Sequence, residues 1–369
     1  MVSWPTLIFI VGYHLLLFIT APLYLMNNTP ALGLLLLSGA LVFITGLGVT
    51  AGYHRLMSHG AYKTNRGVEA VLLFFASMAV EGSALRWCYD HRLHHAYVDT
   101  DRDPYSINKG FWYAHILWMF RKSPPIETKV VADLMRSPLV RIQHRYYLFF
   151  LIGTNLIAFA FAGWLFGDWK GAFIWTVLAR MFCLHHLTWF INSLAHTWGS
   201  QSYSREHSAV DSYILCLLTF GEGYHNYHHT FPSDFRNGIR WYHFDPTKWL
   251  IWTLSKLRLA WGLKKVDDVR IARQIMQDHC KVLLEKVHRS FHGQKDQLEV
   301  KVKEIQESVV LRLTRLHELV SESKKTARQD MSNLGQEMKE AKKALKEEWR
   351  RWKTIVRQIE KNKEHLTVS

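Results

Sequence analysis

His225, His228 and His229 in GEGYHNYHHTFP repeat the spacing of His91, His94 and His95 in DHRLHHAYVDTD. On a helix, positions i, i+3 and i+4 share a face, so each His-x-x-His-His unit offers three imidazoles to a common point, as metal ligation requires. His54 and His59 in YHRLMSH form a third pair, and Asn192 with His196 in WFINSLAH a fourth element, which brings the set to nine histidines and one amide. One ion cannot use so many ligands; two can. Imidazole suits iron, zinc, copper and nickel alike, so ligand type does not choose the metal. Closed structural zinc sites take four ligands and usually include cysteine, whereas Cys88, Cys183, Cys216 and Cys280 stand far apart and outside these clusters. The chain holds 21 histidines, and an isolated one is more often a surface residue than a ligand; two repeated triplets with two further elements reverse that expectation.

The elements that must carry these residues follow from hydropathy. Four runs approach the roughly 20 residues that cross a bilayer: about Leu7 to Leu25, Leu32 to Ala51, Tyr147 to Phe166 and Ala172 to Ile191. They make two hairpins, turning at NNTPA and GDWKG. The apolar N-terminus has no basic leader and no A-x-A site, so it reads as a first span rather than a cleaved signal. The short turns carry almost no positive charge, whereas the long segments after the second and fourth spans are rich in Lys and Arg, which places both termini and both long segments in the cytoplasm. His54 and Asn192 then leave the membrane on the same side. Convergence of all nine histidines requires that Val68 to Leu85 not cross. Ile214 to Phe220 is too short to cross, and Trp249 to Leu263, with Trp249, Trp252 and Trp261, is expected to lie as a helix in the headgroup region. A metal transporter or sensor would set its ligands near midplane along several spans, so clustering at the cytoplasmic ends disfavours that class.

From Lys264 onward the chain has 25 Lys and Arg against 17 Asp and Glu, about half of the net charge of +15. That surplus either meets acidic lipid headgroups or is solvated, and no nucleic-acid partner is expected. Leu298, Val302, Ile305, Val309, Leu313, Leu316 and Val320 recur every three or four residues, and a weaker series runs through Met331, Leu334, Met338, Ala341, Leu345, Trp349 and Trp352. This predicts an amphipathic helix or coiled coil, broken at Gly335 and the polar stretch from Ser321 to Ser332, that joins two copies, folds back on the cap or lies on the membrane. Two domains are expected, 1–263 and 264–369.

HRLMSH, DHRLHH, NSLAH and HNYHHTFP, in this order and with these spans between them, resemble the histidine boxes of the integral-membrane fatty acyl desaturases, closest to the acyl-CoA delta-9 (stearoyl-CoA type) branch. The resemblance covers about Leu32 to Leu263. It implies an all-α membrane protein of four transmembrane helices under a cytosolic helical cap that holds two irons, with the helical extension added. It also implies the ligands His54, His59, His91, His94, His95, His196, His225, His228 and His229, with Asn192 acting through a water. The implied activity is oxygen-dependent formation of a cis double bond at carbon nine of a saturated acyl chain, on coenzyme A or on a membrane lipid. A related hydroxylase shares the box spacing.

By sequence statistics alone Trp87, Thr188 and Trp189 read as membrane-interface and packing residues, but the family's bent substrate tunnel puts Trp87 and Thr188, followed by Trp189, at chain-shaping positions. Ser38, beside Gly39, is expected near the closed end. Asp90 is retained from the family pattern, while Glu81, Gly82 and Tyr89 depart from it. Arg121 and Lys122, with Lys109, are candidates for CoA phosphates. Arg180, inside the fourth run, is expected to meet an acid or line a wet cavity, and His185 and His186 to be packing or cavity residues. No His-Pro-Gly-Gly haem signature occurs, so electrons are expected from a separate donor of the cytochrome b5 or ferredoxin type.

Overall fold

The computed structural model describes residues 1–290, 295–323 and 331–366. Its contacts divide the chain into Met1–Ser202 with Glu206–Lys265, and Tyr203–Arg205 with Val266–Ser369. In chain order the first unit comprises α1 (Trp4–Asn27), α2 (Leu32–Leu47), α3 (Arg66–Met78), α4 (Ala84–Tyr97), α5 (Phe111–His115), α6 (Pro138–Arg145), α7 (Tyr147–Phe166), α8 (Trp169–Ala172), α9 (Arg180–Ser193), α10 (Tyr213–Leu218), α11 (His225–Thr230) and α12 (Pro246–Lys256). Two short strands, β1 (Lys63–Thr64) and β2 (Ala260–Trp261), pair antiparallel with Lys63 opposite Trp261.

Among the described residues four helical stretches are long and apolar enough to cross a membrane: Trp4–Asn27, Leu32–Ser58, Tyr147–Phe166 and Trp169–His196. They are the four runs expected from hydropathy, the third with the same bounds and the other three lengthened. Two of them are composite, because α2 continues through π-type turns over Gly48–Ser58, and α8 joins α9 through similar turns over Phe173–Ala179. Large apolar side chains such as Phe18, Leu148, Phe149 and Trp164 stay exposed on these helices, as a lipid-facing surface requires. The thirteen-residue α3 is too short to span. Asn65 caps it by accepting from the Val68 N–H, and it lies tightly on the end of the second span. A Cβ on Gly48 would sit 2.7 Å from the Ala76 nitrogen, so only glycine permits that approach.

Two expectations change. The stretch from Trp249 to Leu263 is not one helix, since α12 ends at Lys256, Arg258 turns the chain at φ +60, and Ala260–Trp261 pairs as β2. Trp249 and Trp252 do face outward, but Ile251 is buried, and the Lys248 ammonium is drawn inward to the Gly238 and Arg240 carbonyls, each at 2.7 Å. Among the described residues Arg180 meets no acid, and it does not line the cavity described below. Its guanidinium donates to the Thr176 carbonyl at 2.7 Å, the Met78 carbonyl at 3.1 Å and the Asn155 side chain, so it ties α9 to the end of α3 and to α7.

The second unit contains three long helices, α13 (Asp268–Ser290), α14 (Lys295–Ser323) and α15 (Met331–Leu366). Met276, Cys280, Leu283 and Val287 of α13 pack with Val302, Ile305, Val309 and Leu313 of α14 and with Trp352, Ile355 and Ile359 of α15. The amphipathic faces read in the sequence therefore close on one another within one chain. Trp352 is core and the partly buried Trp349 packs against it. Gly335 lies inside α15 and does not break it. The rest of the expected break falls largely on residues 324–330, outside the described residues.

Candidate metal centre

The second span carries the first two ligands. His59 follows His54 by five positions, and an α-helix would set them about 140° apart. In the wider π-type turns, closed here by the His59 N–H donating to the His54 carbonyl at 3.2 Å, both rings come to one side, with centroids 4.9 Å apart. The triplets behave as their spacing predicts. Ser83 caps α4, whose inner face presents His91, His94 and His95, while α11 presents His225, His228 and His229. His196 follows from the 3₁₀ turn that ends the fourth span.

All nine histidines converge, and they do so in two groups: His54, His59, His91, His95 and His228 in one, and His94, His196, His225 and His229 in the other. In the first, Nε2 atoms face each other at 2.9 Å (His54 and His228), 3.0 Å (His228 and His95) and 2.8 Å (His59 and His91). In the second, His94, His229, His225 and His196 form a chain of Nε2 contacts of 3.2, 3.1 and 3.1 Å.

Acceptors behind the rings fix which nitrogen is free. His54 Nδ1 donates to Glu222 at 2.9 Å and His94 Nδ1 to Asp103 at 3.0 Å. His196 Nδ1 donates to the Ser208 hydroxyl at 2.7 Å, and that hydroxyl itself donates to Asp99 at 2.5 Å. With Nδ1 engaged behind each ring, His94 and His196 turn Nε2 inward. The ring nitrogens of each group lie within 4.8 Å of one another, a spacing at which one cation can take them together, so the donor set fits a metal in each group. Burial, reinforced by neighbouring histidines, holds His59, His91, His95, His225, His228 and His229 well below the usual imidazole range, so they are neutral and ready to ligate.

The carboxylates behind the rings carry no signal at sequence level. Burial alone would raise the Glu222 carboxyl, but His54 and Arg55 beside it outweigh that and hold it at about 2. Arg55 binds Glu222 at 2.8 Å and Asp245 at 2.9 Å, all three fully buried, which fixes the loop before α11 to the end of the second span.

A cavity of about 600 Å³ touches both groups, at His54 and His91 of the first and His94 and His225 of the second. Trp87, Asp90, Thr188, Trp189 and Asn192, all expected near substrate or metal, line it. Trp87 stacks on His91 at 4.9 Å and donates its indole N–H to Glu81 at 3.2 Å. Burial pushes the Glu81 carboxyl up to about 7, while that hydrogen bond pulls the other way. His185 also lines the cavity, bonded to the Tyr13 hydroxyl at 2.9 Å. Three expected contacts stand elsewhere. Ser38 donates to the Trp175 carbonyl at 2.6 Å, and Arg121 and Lys122 are exposed outside the cavity wall.

Two histidine groups that could each hold a metal, at the wall of an apolar cavity in a chain with four helices long and apolar enough to cross a membrane, define an integral membrane protein with a candidate metal centre, and the comparisons give its family. Residues 28–261 match the fatty acid desaturase family, and the chain belongs to it. It is 46% identical over 245 residues to a probable acyl-CoA desaturase of Schizosaccharomyces pombe, covering 65% of this chain and 50% of the relative. It is 39% identical over 246 residues to acyl-CoA desaturase 1 of Saccharomyces cerevisiae, covering 66% and 48%. An sn-1 stearoyl-lipid 9-desaturase of Anabaena variabilis is 34% identical over 273 residues, 72% of this chain and 95% of the relative. The match thus spans about half the length of the two fungal relatives.

Proposed function

We propose that the protein introduces a cis double bond at carbon nine of a saturated fatty acyl chain carried on coenzyme A, using dioxygen, two irons and electrons from a separate donor. The observation that carries this reading is the cavity of about 600 Å³ walled by histidines of both groups. His54, His59, His91, His95 and His228 hold one iron, and His94, His196, His225 and His229 the other, with Asn192 acting through a water. Bound there, the irons supply the oxidising power to take hydrogen from an unactivated methylene, which no side chain has.

The reaction balances as the loss of two hydrogens from adjacent methylenes. With two electrons from the donor and two protons from solvent, one dioxygen becomes two waters. Residues of the chain set position. Glu222, Asp103 and Ser208 orient imidazoles through Nδ1, and the enclosing helices exclude water. A saturated tail has no polar mark at its middle, so the bond is located by the shape that Trp87, Thr188 and Trp189 give the cavity. Arg121 and Lys122 serve the CoA phosphates from outside the wall. The donor is of the cytochrome b5 or ferredoxin type, and the metal side and both termini are cytoplasmic.

A second reading, an acyl chain linked to a membrane lipid, is favoured by the match along 95% of the cyanobacterial stearoyl-lipid desaturase. Wild type and His228→Ala are expressed in a host without its own delta-9 desaturase, and double bonds in total fatty acids are mapped by mass spectrometry. Monoenes at carbon nine with wild type alone are expected. Hydroxy acids would assign a hydroxylase instead, and no product from stable, iron-loaded protein with donor supplied would refute the proposal. Labelled acyl-CoA or phospholipid, offered separately, decides the carrier.

A further inference from the structure

In the three-helix unit the outward positions of α13 and α14 mix signs, as with Lys281 and Glu285, or Glu304 and Glu307 with Arg315. Among the described side chains of α15, cations instead gather on one stripe. Lys339, Lys342, Lys346, Arg350, Lys353 and Arg357 recur at spacings of three and four, with Lys343 alongside, and every one is exposed. They lie opposite the side that carries Trp352, Ile355 and Ile359 into the core. Among the described residues none of these cations pairs with a carboxylate. Glu348 is buried against Arg312 and Arg351, Glu337 is taken by Arg315 of α14, and Glu340 and Glu347 stand to one side of the stripe. The stripe runs about 27 Å, from the 1.5 Å rise per residue between Lys339 and Arg357.

We propose that this face of α15 docks on an anionic lipid surface. Like charges three and four residues apart oppose helix formation, a cost that a mixed face of equal solubility avoids and that a counter-surface offsets. Along the stripe no large apolar side chain is exposed; among the described residues, the unit's exposed large hydrophobics are Val300 and Leu311, on α14. Among the described side chains of α15 no large hydrophobic is exposed to insert, and attachment is electrostatic. A bilayer is the surface always within reach, because α13 begins three residues after Lys265, the last residue of the membrane-crossing unit.

The full-length protein is reconstituted in vesicles of phosphatidylcholine alone or with about a third phosphatidylglycerol, and lysine acylation rates are read by mass spectrometry. Lys339, Lys342, Lys346 and Lys353 are expected to react about tenfold more slowly on the anionic vesicles, with the difference lost at about 0.5 M salt and Lys301 of α14 unchanged. The triple variant Lys346→Gln, Arg350→Gln, Lys353→Gln should keep its helix content and lose most of the protection at Lys339 and Lys342. Equal rates in both vesicles overturn the proposal. So does protection that appears only when an acidic redox protein is added, which would make the stripe a protein-docking face.

Discussion

On the proposed reading, Gly46→Ala is the sharpest single test of how the cavity measures an acyl chain. Gly46 and Phe220 both line the cavity, and a Cβ on Gly46 would fall 2.2 Å from Phe220 Cε2 and 2.5 Å from Cζ. Carbon contacts settle near 3.5–4.0 Å, so the ring must retreat by more than about 1 Å. Its backbone cannot follow easily. The Phe220 carbonyl accepts from Thr247 at 3.1 Å, Gly221 lies against Asp245, and Phe43 packs edge-on against the ring at 5.6 Å. The ring therefore swings into the cavity. Overpacking of this kind costs about 1–3 kcal/mol of stability. A pocket shortened by about one methylene discriminates chains by a similar energy, roughly ten- to two-hundredfold in kcat/KM. The assay is competition between stearoyl and myristoyl substrates, with both products quantified by mass spectrometry. The stearoyl-to-myristoyl ratio should fall at least about tenfold. An unchanged ratio from stably folded protein would refute the claim that Phe220 bounds the acyl chain.

Three further outcomes follow from named contacts. Asp103→Asn leaves the side chain's shape but weakens the acceptor that orients His94, and should lower metal affinity about 10- to 100-fold, read as metal per protein after dialysis against a graded chelator. Glu81, its carboxyl raised by burial from the ordinary 4.5 to about 7, binds a proton more tightly folded than unfolded, so stability falls as pH rises from about 4.5 to 7 and is level above. Glu81→Gln should remove that slope, worth at most about 3 kcal/mol, in thermal melts at pH 5 and pH 8. Trp352→Ala should cost about 3–5 kcal/mol in the three-helix core and speed amide exchange throughout α13, α14 and α15.

What the sequence made legible depended on whether the geometry was local. The two triplets could be placed on helices because i, i+3 and i+4 share a face in any α-helix, and α4 and α11 bear this out. His54 and His59 could be recognised by type but not by geometry, since their meeting depends on π-type turns that no periodicity announces. The division into groups of five and four, and the carboxylates of Glu222 and Asp103 behind them, depend on contacts across the chain, as between His54 and His228, 174 residues apart. Arg180 misled for the same reason. A charge in an apolar run signals function only if its partner is a side chain or a ligand, and here carbonyls at the Thr176 and Met78 positions, with Asn155, suffice. In the extension the periodicity of α14 and α15 was visible, whereas the same spacing in Met276, Cys280, Leu283 and Val287 went unread. That omission changed the inference: two amphipathic helices want a partner, but three close their own core and leave only charge outside. The functional question for that unit therefore moves from its apolar seam to the cations of α15.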